Sequence, residues 1–105
     1  MAINYQNILT ANVTSNTTVY SPTTTGVQCT LIGLLIANTT TSAITATVLL
    51  TSGATTCNIV KNVQIPSGTS LDVVQSAKIV VEHNDVLAVS ATGAVDVIVS
   101  SIEVS

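Results

Sequence analysis

Between Val27 and Ile65 the chain runs through three β-patterned stretches, VQCTLIGLLIAN, ITATVLLT and CNIVKNVQI, separated only by TTTSA and SGATT. Valine, isoleucine and threonine branch at Cβ, which suits a pleated surface and crowds a helical turn. Short polar segments between such runs are turn material. The stretch therefore reads as three consecutive antiparallel strands forming a meander, onto which the shorter and more polar flanks pack.

The remaining segments repeat this grammar. Tyr5 to Val13 can make an edge strand, with Met1 to Val13 as a possible extended arm. Thr18 to Tyr20 is a short strand stopped by Ser21–Pro22, because proline lacks a ladder donor and constrains its predecessor. After the central stretch, Pro66-Ser67-Gly68-Thr69 is a turn with proline at its first central position. Leu71 to Val74, Lys78 to Glu82, Val86 to Ala91 and Ala94 to Val104 follow as strands, with turns at Gln75-Ser76-Ala77, His83-Asn84-Asp85 and Thr92-Gly93. No segment carries a helical period. The expected fold is one all-β domain over residues 1–105: an antiparallel β-sandwich of eight to nine short strands, jelly-roll-like in wiring.

Alternation along the strands assigns faces. Ile44, Ala46, Val48 and Leu50 point one way and Thr45, Thr47 and Thr51 the other, with Leu49 the exception, the pattern of a strand wet on one side. The first central strand differs. A strict two-residue period puts Leu31 and Leu35 on one face and Ile32, Leu34 and Ile36 on the other. A strand apolar on both faces is normally covered on both. Leu31, Ile32, Leu34, Leu35 and Ile36 are thus the candidate self-association surface, and Leu34→Asp is expected to give a folded monomer.

Charge supports an expectation of neighbours. Only 7% of residues are charged, against about a quarter in ordinary domains, while 47% are hydrophobic. A lone soluble monomer keeps a charged surface of mixed sign; a surface of Thr, Ser, Asn and Ala suits burial against copies of itself. With Lys61 and Lys78 as the sole basic side chains, nucleic acid is not an expected partner. No run reaches membrane-spanning length, and MAINYQNILT lacks a charged and then apolar leader pattern. The sequons at Asn12, Asn16 and Asn38 read as chance matches in a Thr-rich chain made in a reducing cytosol. In the meander, Cys29 and Cys57 lie two strand spacings apart, about 9–10 Å, beyond the roughly 7 Å that a disulfide spans. Free, half-buried thiols are expected.

Candidate chemistry is sparse. Glu82, His83, Asn84 and Asp85 form the one cluster of potential ligands, but zinc asks for more His or Cys and calcium for more oxygens at alternating positions. A solvated turn is the stronger reading. His83 is the single histidine, with nothing to place Cys29 or Cys57 beside it as a nucleophile. Asp72 and Asp96 sit at outward strand positions. A threonine- and asparagine-rich face could meet glycans, yet Tyr5 and Tyr20 are the only aromatics. An enzyme, a cofactor and a metal are not expected.

The segments IANTTTSAITATVLL, IVKNVQIPSGTSLDVV and KIVVEHNDVLAVSATGAVDVIVSSIEVS resemble a family of small virion proteins of tailed bacteriophages, particularly those infecting cyanobacteria. The shared grammar falls on Asn38, Pro66, Gly68, Ser70, Leu71, Lys78, Glu82, Asp85, Gly93 and Asp96, over Leu31 to Ser105. It is turn and strand grammar with no active-site signature. The resemblance implies a non-enzymatic structural component of the virion, assembled in the host cytoplasm. A capsid decoration or cement protein fits first: a homo-oligomer, expected to be a trimer, bound to the major capsid protein or other virion proteins. A tail, neck or baseplate component and a glycan-binding fibre tip are the alternatives.

Overall fold

The computed structural model describes residues 3–22, 26, 28–74 and 78–104. Among the described residues nine strands occur in chain order: β1 (Ile3–Val13), β2 (Thr17–Tyr20), β3 (Gln28–Asn38), β4 (Ile44–Ser52), β5 (Thr55–Ile65), β6 (Ser70–Asp72), β7 (Ile79–Val81), β8 (Val86–Ala91) and β9 (Val95–Val104). The described residues contain no helix. All pairings are antiparallel. One sheet runs β1-β9-β3-β6, with β7 also on β3, and the other runs β2-β8-β4-β5. β6 and β7 lie end to end along one edge of β3, opposite Leu35–Ala37 and Cys29–Leu31 respectively. They serve as one interrupted strand, so the wiring is that of an eight-stranded jelly roll.

The expected meander is not present. β4 and β5 form a hairpin closed at Ser52↔Thr55, with Gly53 at φ 61. That glycine supplies the positive φ which a two-residue hairpin loop demands. β3, however, belongs to the opposite sheet, and its chain crosses over at Thr39–Ala43. Short loops connect sheets as readily as neighbours within one, so loop length alone does not tell a meander from a sheet crossing. The Met1–Val13 arm is likewise an ordinary strand over its described part, paired with β9 from Ile3↔Val104 to Val13↔Val95. The turn expected at Gln75–Ala77 lies outside the described residues.

Between the sheets, Leu31, Leu34, Ile36, Val81, Val95, Val97 and Val99 of the first sheet face Val19, Ile44, Val48, Ile65, Leu87 and Val89 of the second. Two joints bridge them. At one corner, buried Asn38 donates from Nδ2 to the carbonyls of Ser42 (2.8 Å) and Ile65 (3.0 Å) and accepts from the Thr40 backbone N–H (2.9 Å) and hydroxyl (2.7 Å). A buried amide is stabilising only when satisfied in this way. There too Gly93 is required by crowding, since a Cβ on it would lie 2.7 Å from Ile44 Cγ2.

At the other end, the Tyr20 hydroxyl of β2 donates to Glu103 Oε2 of β9 at 2.8 Å, and the Gln6 amide of β1 donates to the same oxygen. Cys29, directly opposite Glu103 on β3, and Ser101 are buried close by. Burial, then the neighbouring Cys29 and Glu103, push the Tyr20 phenol well above its ordinary value. Burial also pushes the Cys29 thiol up.

Candidate association surface

The five apolar residues singled out on β3 do not share one surface. In the ladder with β9, Leu31 faces Ser101 while Gly33 faces Ser100. Two residues of β3 thus advance against one of β9, and Ile32 is the extra residue of a β-bulge. The bulge shifts the inward–outward alternation by one. Leu31, Leu34 and Ile36 all point into the sandwich and are fully buried, while Ile32 and Leu35 point out, each 38% exposed. The two-residue period placed Leu34 beside Ile32; the bulge puts Leu34 in the core, and Leu34→Asp places a carboxylate there. Gly33 has only an ordinary contact to offer a Cβ, Ser100 Cβ at 3.5 Å, so no close neighbour demands a glycine here.

The outward pair belongs to a larger surface. Among the described residues the exposed large hydrophobics are Ile3, Tyr5, Leu9, Ile32, Leu35, Val80 and Ile98. All lie on β1, β3, β7 or β9, within the first sheet. Ladder pairing fixes their arrangement, because residues directly opposite in a sheet project from the same face. Leu9 is opposite Ile98, which is opposite Leu35. Two rungs further on, Tyr5 is opposite Ile102, Ile102 opposite Thr30, and Thr30 opposite Val80. Ile3 and Val104 extend the face by one more rung. Asp72, opposite Leu35, and Asp96, which accepts from the Asn12 backbone N–H at 3.1 Å, form a polar rim at one end.

Sequence reading reached Ile32 and Leu35 but missed Ile3, Tyr5, Leu9, Val80 and Ile98. Their signal was present as isolated apolar residues in separate strands, and only the strand order gathers them. The second sheet presents a different outside. Thr45, Thr47, Ser90 and Thr51 project from it, with Thr47 hydrogen-bonded to Asn62 and Thr51 to Thr56.

The polar candidates fall into turns and hollows. The Asp85 N–H donates to the Glu82 carbonyl (3.0 Å), the Glu82 N–H donates to Asp85 Oδ2 (2.9 Å), and Asn84 has φ 68. These four residues form a β-turn clipped by its own carboxylate. Among the described residues no three His, Cys, Asp or Glu side chains gather as a metal site. Contrary to expectation, Cys29 and His83 line one hollow, together with Gln28, Thr30, Val80 and Glu82. An active thiol needs a lowered pKa, whereas burial and the Glu103 carboxylate act on Cys29 in the opposite direction. Both cysteines are free thiols, Cys29 buried and Cys57 exposed. They sit in different sheets.

The fold has a solved counterpart. The chain superposes on a structure described as "Bacillus endospore appendages form a novel family of disulfide-linked pili", with a TM-score of 0.56 and 16% sequence identity, over 99% of this chain and 87% of that one. At that identity the likeness is one of fold. No protein-family model and no curated protein sequence matches the chain.

Proposed function

We propose that this chain is a non-enzymatic structural subunit that works by associating through the outer face of its first sheet. The observation that carries the proposal is the gathering of the exposed large hydrophobics on that one face. Four strands at about 4.8 Å by roughly eight residues at 3.3 Å give a footprint of about 500 Å². Exposed apolar patches of several hundred Å² mark interaction sites, and a standard interface covers about 800 Å² per partner. The low charge of the chain removes the usual barrier to close packing of copies.

The resemblance over Leu31 to Ser105 gives this subunit its setting: a virion of a tailed bacteriophage, assembled in the host cytoplasm, with the chain as a decoration or cement protein on the shell. Each bound copy would bridge shell subunits, so the assembled shell is favoured by differential affinity. Quantitative mass spectrometry of purified particles tests this. Copies in the hundreds per particle, and earlier thermal rupture of particles lacking the protein, are expected; a handful of copies rejects the cement role in favour of a tail or neck position. The fold likeness favours a second reading, a filament-forming appendage subunit. Electron microscopy of the purified chain separates the two, since filaments formed without a shell support only the second. The trimer expected from sequence is one closure of such contacts.

A further inference from the structure

Each sheet of a sandwich has two edges, and an uncovered edge is a template for another strand. Three of the four edges here carry devices that discourage addition. β2 is four residues long and runs into Ser21–Pro22. β5 is interrupted by two register shifts, has Asn62 at φ 52 and exposes Lys61. The β6/β7 edge is broken into two pieces of three residues each, flanked by Asp72 and Lys78. Short strands, bulges and lysines are the means by which sheet edges are kept from pairing.

β1 has none of these along most of its length. It is eleven residues long, INYQNILTANV, with no charge and no proline. Its register with β9 is unbroken from Ile3 to Thr10, and the one irregularity falls between Thr10 and Val13. It is the outermost strand of its sheet.

We propose that the free edge of β1 is a homotypic pairing site, taking the β1 strand of a second copy in antiparallel register across a two-fold axis. The inference rests on the self-association reading above and adds which edge makes the contact and with what symmetry. A two-fold contact requires a surface to complement itself. β1 does so, because an antiparallel ladder needs only backbone groups and opposed residues without like charges, and this strand has no charges to oppose. Residues paired across a ladder project from one face. Ile3, Tyr5 and Leu9 of one copy therefore adjoin the same residues of its partner, and the two apolar faces become continuous at the junction. A foreign strand would gain the ladder but not this continuity. Pairing in this way joins two five-stranded sheets into one and orders the copies in twos.

Hydrogen exchange of the full-length chain, in dilute and in concentrated solution, tests the edge directly. Alternate amides of a lone edge strand point to solvent, and pairing removes them from it. Every second amide between Ile3 and Thr10 is expected to exchange at least tenfold more slowly in the associated form. Sedimentation of charge variants supplies the second measurement. Asn7 lies mid-strand on the exposed side of β1; Asn7→Lys and Asn7→Asp should each weaken association tenfold or more, and a one-to-one mixture should restore it. Associated protein whose β1 amides exchange as in the monomer, or variants that are not rescued by mixing, would overturn the edge contact while leaving association through the face standing. A chain that stays monomeric at millimolar concentration overturns both.

Discussion

The two sheets of this sandwich share a core and have opposite exteriors. The β2-β8-β4-β5 sheet turns Ile44, Ala46 and Val48 inward and Thr45, Thr47 and Thr51 outward, with Leu49 the exception; the Thr51 and Thr56 hydroxyls bond to each other and the Asn62 N–H donates to the Thr47 hydroxyl. The β1-β9-β3-β6 sheet leaves Ile3, Tyr5, Leu9, Leu35, Ile98 and Val80 in solvent. Similar composition and common strand chemistry thus yield one surface compatible with water and one that is stabilised by covering. The contrast is what the proposed assembly through the first sheet rests on.

Adjacent residues on β3 provide the sharpest way to break the comparison. Leu34 is fully buried between the sheets, and Leu35 is exposed on the outer face. Leu34→Asp puts an unpaired carboxylate into the core and should cost about 4 kcal/mol or more, read as loss of the cooperative unfolding transition in circular dichroism. A folded Leu34→Asp monomer would mean that the bulge at Ile32 is absent and that the sequence-based faces are the real ones.

The joints between the sheets come next in size. Asn38→Ala leaves the Ser42 and Ile65 carbonyls and the Thr40 N–H without their partner. A loss of roughly 2–4 kcal/mol is expected from urea unfolding. At the other end, Tyr20→Phe removes one hydrogen bond to Glu103, for about 1–2 kcal/mol at neutral pH. Its pH dependence sharpens the assignment. The folded-state pKa of Tyr20 is raised, so the stability conferred by the neutral phenol is complete below the unfolded value of about 10. That stability is lost as pH climbs towards the folded value. Cys29, also raised, adds a loss beginning near its own unfolded value of about 8.5. The urea midpoint of the native chain should therefore fall between pH 9 and 11, and Tyr20→Phe should flatten the upper part of that fall.

Much of the fold was legible. β-branched runs separated by turn residues marked all nine strands, and jelly-roll wiring followed from their number and spacing. The sheet membership of β3 was not legible, because the Thr39–Ala43 loop is as short as a hairpin turn and only the strand pairing in the folded molecule shows that the chain changes sheets. The face of Leu34 was hidden by a one-residue bulge that leaves no mark in the hydrophobic pattern. The β1 contribution was hidden for another reason. Ile3 and Tyr5 alternate with polar residues as in any half-buried strand, Leu9 follows the apolar Ile8, and nothing local distinguishes an apolar face turned to solvent from one turned to the core.

The most direct test of the apolar face is sedimentation equilibrium of the native chain beside Leu35→Lys and Thr45→Lys. Both substitutions are outward and single, one on each sheet, and Lys at position 35 sits opposite Asp72, so each protein should remain folded within about 0.5 kcal/mol of the native chain. Association is expected to weaken at least tenfold in Leu35→Lys and to be unchanged in Thr45→Lys. Equal weakening by both, or by Thr45→Lys alone, would contradict the assignment of assembly to the first sheet.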